Sequence, residues 1–327
     1  MNRQPWTETY DVVMPILKRD WPAAQVNLPF VFKNLPIRRL VVLSGADLEP
    51  LLPRDERIVF VNENELMEGL TLANVKKAMY ARIYTDKRAG WYFQQFLKLG
   101  YARVCTDADT VPVRPISFRN EQGQYLFNVR PEYNKPYFDT MKTLLGLEKC
   151  QEDSFIAEHM IFDTRMACRM LDEIEANDRL PGATFWEKIL AAVPLDALKG
   201  SGFSEFETYG TWAMTRCPGR YEVRPLHGLR RGKNILGQAP DAETLEWVGQ
   251  SYDTVAMEKF SGSTPLRHLA ASGQYRAGHT AAQLNTLKER FHVIPAVYGW
   301  GKGLWPRFKI WGGKYKRMLR AKQSSRK

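Results

Sequence analysis

Long apolar runs are missing from this chain of 327 residues: no stretch long enough to cross a bilayer occurs, and Met1-Asn2-Arg3-Gln4-Pro5-Trp6 has no apolar segment behind it. Neither a membrane-spanning helix nor a secretion signal is expected, which points to a cytoplasmic protein. Cysteine is scarce. Cys105, Cys150, Cys168 and Cys217 are far apart and form no Cys-x-x-Cys pair, which excludes a disulfide framework and a zinc knuckle and fits a reducing compartment. Several catalytic signatures are absent too: there is no Gly-x-Ser-x-Gly elbow, no His-Glu-x-x-His and no Gly-x-x-x-x-Gly-Lys-Ser/Thr phosphate loop. Gly200-Ser201-Gly202 lacks the third glycine of a dinucleotide fingerprint, and no internal repeat is visible.

What remains is a globular composition, 44% hydrophobic and 25% charged, in a chain long enough to bury a large core. The aromatic supply is generous; such rings can form sugar platforms, although most belong in a core. Residues 299–327 hold ten Lys or Arg and no Asp or Glu, so all but one of the eleven surplus positive charges fall in that tail.

Apolar runs at 11–16, 39–44 and 57–61 read as buried strands, with helices expected at 22–34, 71–82 and 88–99 and a further strand at 101–105. This βα alternation predicts an α/β fold with a mostly parallel sheet flanked by helices and ligands bound beyond the carboxyl ends of the strands. Pro15, Ser44, Asp47 and Asp107 then lie along one rim. Farther on, strands are expected at 124–129, 160–162 and 221–225, and helices at 136–147, 164–176, 184–193 and after Ser204, where Ser204 and Glu207 have capping-box spacing. Residues 236–298 read as polar and mainly helical.

The chemistry concentrates at Asp107-Ala108-Asp109. In an extended segment side chains two apart share a side, so both carboxylates can face one hard cation. In the helix before it, Tyr92, Phe93, Phe96 and Leu97 form a core face, while Trp91, Gln94, Gln95 and Lys98 form a second stripe that either contacts a ligand or is simply solvated. Arg88, at the start of that helix, suits a phosphate.

Arg88-x-Gly90-Trp91-Tyr92-x-Gln94-Gln95-x-Leu97-Lys98-Leu99, followed by Asp107-Ala108-Asp109-Thr110 and Arg114-Pro115, resembles the donor half of GT-A type glycosyltransferases. It looks most like a bacterial group of uncharacterised glycosyltransferase-like proteins. The similarity continues in order through His159-Met160-Ile161-Phe162-Asp163 and Ser201-Gly202-Phe203-Ser204-Glu205-Phe206-Glu207-Thr208-Tyr209-Gly210, covering roughly residues 10–235.

The resemblance implies a GT-A nucleotide-sugar-binding fold in one domain, 1–298, with a donor half (10–118), an acceptor half (119–235) and a helical part (236–298). It implies a nucleotide-diphosphate sugar donor and Mn²⁺ or Mg²⁺ on Asp107 and Asp109. Pro15, Ser44, Asp47 and Asp107 then line the nucleotide side, and Arg88, Trp91, Gln95 and Lys98 the sugar-phosphate. His159, Ser201, Ser204 and Glu205 fall on the acceptor side. Glu205 matches by position the catalytic base of many inverting members, although the usual Glu-Asp pair is here Glu205-Phe206-Glu207, which leaves inversion and retention both open. His227 is a third metal ligand or phosphate contact, or a structural imidazole, and Arg230, Arg231 and Lys233 suit a diphosphate.

The tail interleaves its cations with Trp300, Trp305, Phe308, Trp311 and Tyr315, a composition suited to the surface of an anionic membrane and less so to nucleic acid. Attachment at the inner face would bring the chain to a surface-polysaccharide or lipid-linked acceptor. A sugar nucleotidyltransferase is the rival enzyme, although Leu17-Lys18-Arg19-Asp20-Trp21-Pro22 has none of the glycines of a triphosphate-binding loop. A non-catalytic adaptor acting through the tail is the rival of another class.

Overall fold

The computed structural model describes residues 8–101, 110–157, 159–257 and 262–291. They fall into two compact units, one of residues up to 233 together with 252–257, the other of 234–251 with 262–291. The architecture is mixed α/β with short, mainly parallel strands.

The larger unit opens with β1 (Tyr10–Pro15), α1 (Trp21–Asn34), β2 (Ile37–Ser44) and β3 (Ile58–Asn62), and the three strands pair in parallel in that order. Val12–Met14 and Leu40–Leu43 are buried without alternation, as expected of parallel strands covered on both faces. The register sets Pro15 opposite Leu43 and Ser44 opposite Asn62, so the carboxyl ends of all three strands share one edge. Beyond it come α2 (Leu72–Ile83), capped by the Thr71 hydroxyl, and α3 (Ala89–Gly100). The strand expected at 101–105 lies, past Tyr101, outside the described residues, as do Asp107, Asp109 and the basic tail.

The chain resumes with β4 (Thr110–Pro112), β5 (Tyr125–Val129), α4 (Lys135–Leu145), α5 (Thr164–Glu175), α6 (Phe185–Ala192), α7 (Leu195–Leu198), α8 (Glu205–Arg216), β6 (Tyr221–Pro225) and β7 (Gly228–Leu229). β5 and β6 pair in parallel. After α9 (Lys233–Leu236) and α10 (Ala242–Val248), β8 (Thr254–Ala256) runs antiparallel to β4 and parallel to β7. The smaller unit adds α11 (Arg267–Ala271), α12 (Gly273–Gly278) and α13 (Ala281–Phe291) to α10; within it the Trp247 indole donates to the His279 carbonyl at 2.8 Å.

Three local expectations are corrected. Met160–Phe162 form no strand; they are an irregular buried segment, with Phe162 stacked 4.4 Å from Tyr209 of α8, so their hydrophobicity serves helix packing. β8 lies inside a stretch read as helical, because three residues are too few to show a period. Ser204 caps α8 by accepting the Glu207 N–H at 3.2 Å, but the reciprocal half of the capping box is not made. The Glu207 carboxylate instead accepts from the Ser154 hydroxyl and, at 3.0 Å, from the Phe155 N–H.

One charge is buried within the first strand. Asp11 takes a fork of hydrogen bonds from Arg38, at 2.6 and 2.8 Å, and further bonds from Arg39. Burial alone would push the Asp11 carboxyl up, but the two guanidinium groups outweigh it and hold it below the ordinary carboxylate value. A depressed acid contributes stability that is present above its unfolded value, near 3.9, and is lost as pH falls through the lower folded one. Asp11→Asn is therefore expected to cost about 2 kcal/mol in urea unfolding at pH 7, with the gap to the parent closing below about pH 4.

Candidate functional site

A cleft of about 330 Å³ opens at the carboxyl edge of the β1–β2–β3 sheet. Its floor is Pro15 and Ile16, where β1 ends; Arg19 and Asp20 follow on one side, Glu63 comes from the end of β3, and α3 contributes Gly90, Trp91, Phe93 and Gln94, with Lys87 and Arg88 just before it. The sheet puts it there: parallel strands end together, and the turns leaving them must diverge. Of the residues expected on the donor side, Pro15, Arg88 and Trp91 line the cleft. Ser44 is buried at the end of β2, its carbonyl accepting the Glu63 N–H at 2.9 Å. Asp47 stands exposed beyond it, 3.3 Å from the Lys18 ammonium.

Arg88 is held from two directions. Its Nε donates to the Gly200 carbonyl at 3.1 Å and its Nη2 to the Ser201 hydroxyl at 2.8 Å, while the guanidinium lies 4.9 Å from the Trp91 ring. Ser201, expected on the acceptor side, thus meets the cleft through Arg88. The loop carrying it is fixed by neighbours: Asn134 donates to the Ser201 carbonyl at 3.1 Å, Thr140 to the Gly202 carbonyl at 2.7 Å, and the Gly202 N–H to the Tyr92 hydroxyl at 3.0 Å. A Cβ at Gly202 would run into Val193 and Tyr92, so the approach requires glycine. Burial pushes the Tyr92 phenol up to about 12, which keeps it a neutral donor and acceptor here.

The second stripe of α3 divides. Trp91 and Gln94 face the cleft, whereas Gln95 and Lys98 are buried. The Lys98 ammonium lies 3.0 Å from the Glu205 carboxylate and 5.0 Å from the Phe206 ring, and the Gln95 amide, its nitrogen toward Glu205, donates to the same carboxylate. The reason is α8: packed against α3, it brings an acid to a face that periodicity alone would leave to solvent. Gln95 and Lys98, expected at the sugar-phosphate, and Glu205, expected on the acceptor side, therefore meet in a buried polar cluster joining the two helices.

Other expected residues sit apart from this cluster. His159 is buried under β5, its Nε2 2.8 Å from the Asn128 amide and its ring edge-on to Phe118. Asn128 in turn accepts from Arg224 at 2.9 Å. His227 is exposed between β6 and β7, its backbone N–H donating to the Asp253 carboxylate at 3.0 Å. Thr110, the residue after Asp109, pairs with Ala256, whose carbonyl accepts the Gly232 N–H at 2.9 Å. The basic turn 230–233 thus comes to the Thr110 end of β4, and His227 to its Pro112 end. Arg231 holds a left-handed φ of 53° in that turn. Among the described residues no group of three His, Cys, Asp or Glu stands ready to hold a metal ion, and no helix is long and apolar enough to cross a membrane.

Sequence reasoning missed Glu63, Lys87, Asn134 and Tyr137. Glu63 follows the third strand as Ile16 follows the first, and Lys87 precedes Arg88, so both carried a positional signal. Asn134 and Tyr137 are joined to Ser201 only by tertiary packing. No protein-family model matches this chain, and no curated protein matches it.

Two outcomes are expected. Lys98 and Glu205 are buried ions in direct contact, so Lys98→Met or Glu205→Leu alone should cost about 3 kcal/mol or more in urea unfolding, and the double variant should regain part of it. Single losses below about 1 kcal/mol would deny the pair its anchoring role. At Glu63, burial raises the carboxyl and the Asp47 charge adds to it. A raised acid is destabilising once pH climbs from its unfolded value through the folded one, so Glu63→Gln should stabilise the fold slightly at pH 7, by less than about 1 kcal/mol, and not at pH 4.

Proposed function

We propose that this chain is a metal-dependent glycosyltransferase of GT-A architecture, moving a sugar from a nucleotide-diphosphate donor to a surface-polysaccharide or lipid-linked acceptor. One observation carries the reading: the 330 Å³ cleft at the shared carboxyl edge of a parallel sheet, walled by Arg19, Lys87, Arg88 and Trp91. Its volume is in the range of small-molecule sites, and its cations and indole suit a diphosphate and an attached ring.

Within this reading Pro15 and Ile16 seat the nucleotide side, and Arg88 meets the diphosphate from a position fixed before binding by Gly200 and Ser201, which lowers the cost of ordering it. The carboxylates of Asp107 and Asp109, hard oxygen ligands, would hold Mn²⁺ or Mg²⁺, which when bound offsets charge developing on the departing diphosphate. The turn carrying Arg230, which is paired with Glu132, and Arg231 reaches the Thr110 end of β4 and would add to the binding of a diphosphate there. The burial and pairing of Glu205 favour an anchor over the base that removes the acceptor's proton. Attachment to an anionic membrane rests on the composition of residues 299–327.

Thermal unfolding of the full chain with UDP-, GDP- and dTDP-linked sugars, with and without Mn²⁺, tests the reading. A true donor stabilises the fold by mass action, by about 2.7 kcal/mol at a hundredfold excess over its dissociation constant, and so raises the midpoint. Asp107→Ala should remove the Mn²⁺-dependent part. Absence of any shift across the panel would sink the proposal.

A further inference from the structure

We infer that Glu63 reads the nucleobase of the donor and that this base is guanine, so that the sugar arrives linked to GDP. The inference rests on the glycosyltransferase reading and narrows its donor to one nucleotide class.

Glu63 follows the end of β3 and lines the cleft. It is half-buried, and among the described residues no N–H or O–H donates to its carboxylate. The charge that acts on it is Asp47, of the same sign, and Asp47 is itself paired with Lys18. Asp20, the other acid lining the cleft, lies 3.8 Å from the Arg19 guanidinium. Both oxygens of Glu63 are thus open to a ligand, and a ligand that displaces water from them must bring donors of its own.

The cleft is polarised along α3. Lys87 and Arg88 stand at the start of that helix, whereas the turn leaving Glu63 sets Leu66 and Leu70 beside Gly100, at its end. Twelve helical residues span roughly 18 Å. These two cations and the carboxylate therefore approach the cleft from opposite ends, as the diphosphate and the base of one nucleotide do.

The acid selects the base. An ionised carboxylate only accepts, through two oxygens side by side. Guanine presents two adjacent donors, N1–H and the N2 amino group, which meet both oxygens at once. Uracil and thymine flank a single N–H with two carbonyls, and adenine and cytosine set a ring-nitrogen lone pair beside their amino group, so each of them turns an acceptor toward the acid.

Calorimetric titration of the full chain with GDP, IDP, UDP, CDP and ADP in the presence of Mn²⁺ is the test. GDP is expected to bind about tenfold more tightly than UDP, CDP or ADP, and IDP, which lacks the N2 amino group, about tenfold more weakly than GDP. Glu63→Gln should turn the preference toward UDP, because an amide offers one acceptor and one donor to the N3–H and O4 of uracil; urea unfolding checks that the variant is folded. UDP, CDP or ADP binding as tightly as GDP, or a GDP preference that survives Glu63→Gln, overturns the inference and leaves the transferase reading standing. Equal weakening of every nucleotide by Glu63→Gln puts the carboxylate on the ribose and overturns it too. If no nucleoside diphosphate binds, both the inference and the transferase reading fall.

Discussion

The structure turns on a charge pair that has left water. Lys98 and Glu205 lie on helices more than a hundred residues apart in sequence, are each almost fully buried, and meet at 3.0 Å. Taking two ions out of solvent costs several kcal/mol apiece, recovered only if geometry and additional hydrogen bonds are good. Gln95 supplies such a bond and Phe206 offers its ring to the ammonium. An ion pair of this kind adds little net stability over apolar residues, but a shift of α8 along α3 would pull two buried charges apart. It therefore fixes the register between the helix that walls the cleft and the helix that follows the 200–204 loop.

That register is reinforced by close approach. Gly202 sits where any side chain would strike Val193 and Tyr92, and Gly210, on the same helix as Glu205, sits against the face of Phe155. The contacts that position Ser201 for Arg88 are thus steric on one side and polar on the other. Neighbouring Glu207 shows the cost of such packing: burial raises its carboxyl in spite of the hydrogen bonds from Ser154 and Phe155.

The fold of the β1–β2–β3 half was largely legible in the sequence because its elements announce themselves locally. Uninterrupted apolar runs ending at Pro15 and Ser44 specify parallel strands, and the period of Tyr92, Phe93, Phe96 and Leu97 specifies one buried helix face. The other face of α3 was not legible, because whether Gln95 and Lys98 meet a ligand, water or an acid depends on what packs there. Met160–Phe162 failed for a related reason: three buried apolar residues describe a burial state, and both a strand and an irregular segment under a helix satisfy it. β8 was hidden by its brevity. The aromatic pair Tyr133 and Phe138 is obvious in composition, yet only the structure shows which ring stays in solvent.

The choice of arginine at position 88 follows from the number of tasks it performs. A guanidinium carries five N–H donors in a fixed plane. Nε and one hydrogen of Nη2 hold the carbonyl of Gly200 and the hydroxyl of Ser201, and the guanidinium carbon lies 4.9 Å from the centre of the Trp91 ring. Three donors remain, spread over both terminal nitrogens, for a ligand in the cleft that Arg88 also lines. A lysine brings one nitrogen and no plane; it can hold the loop or reach a phosphate, and it cannot stack on the indole while doing either. Arg88 thus joins the cleft to the loop before α8 through a single rigid group.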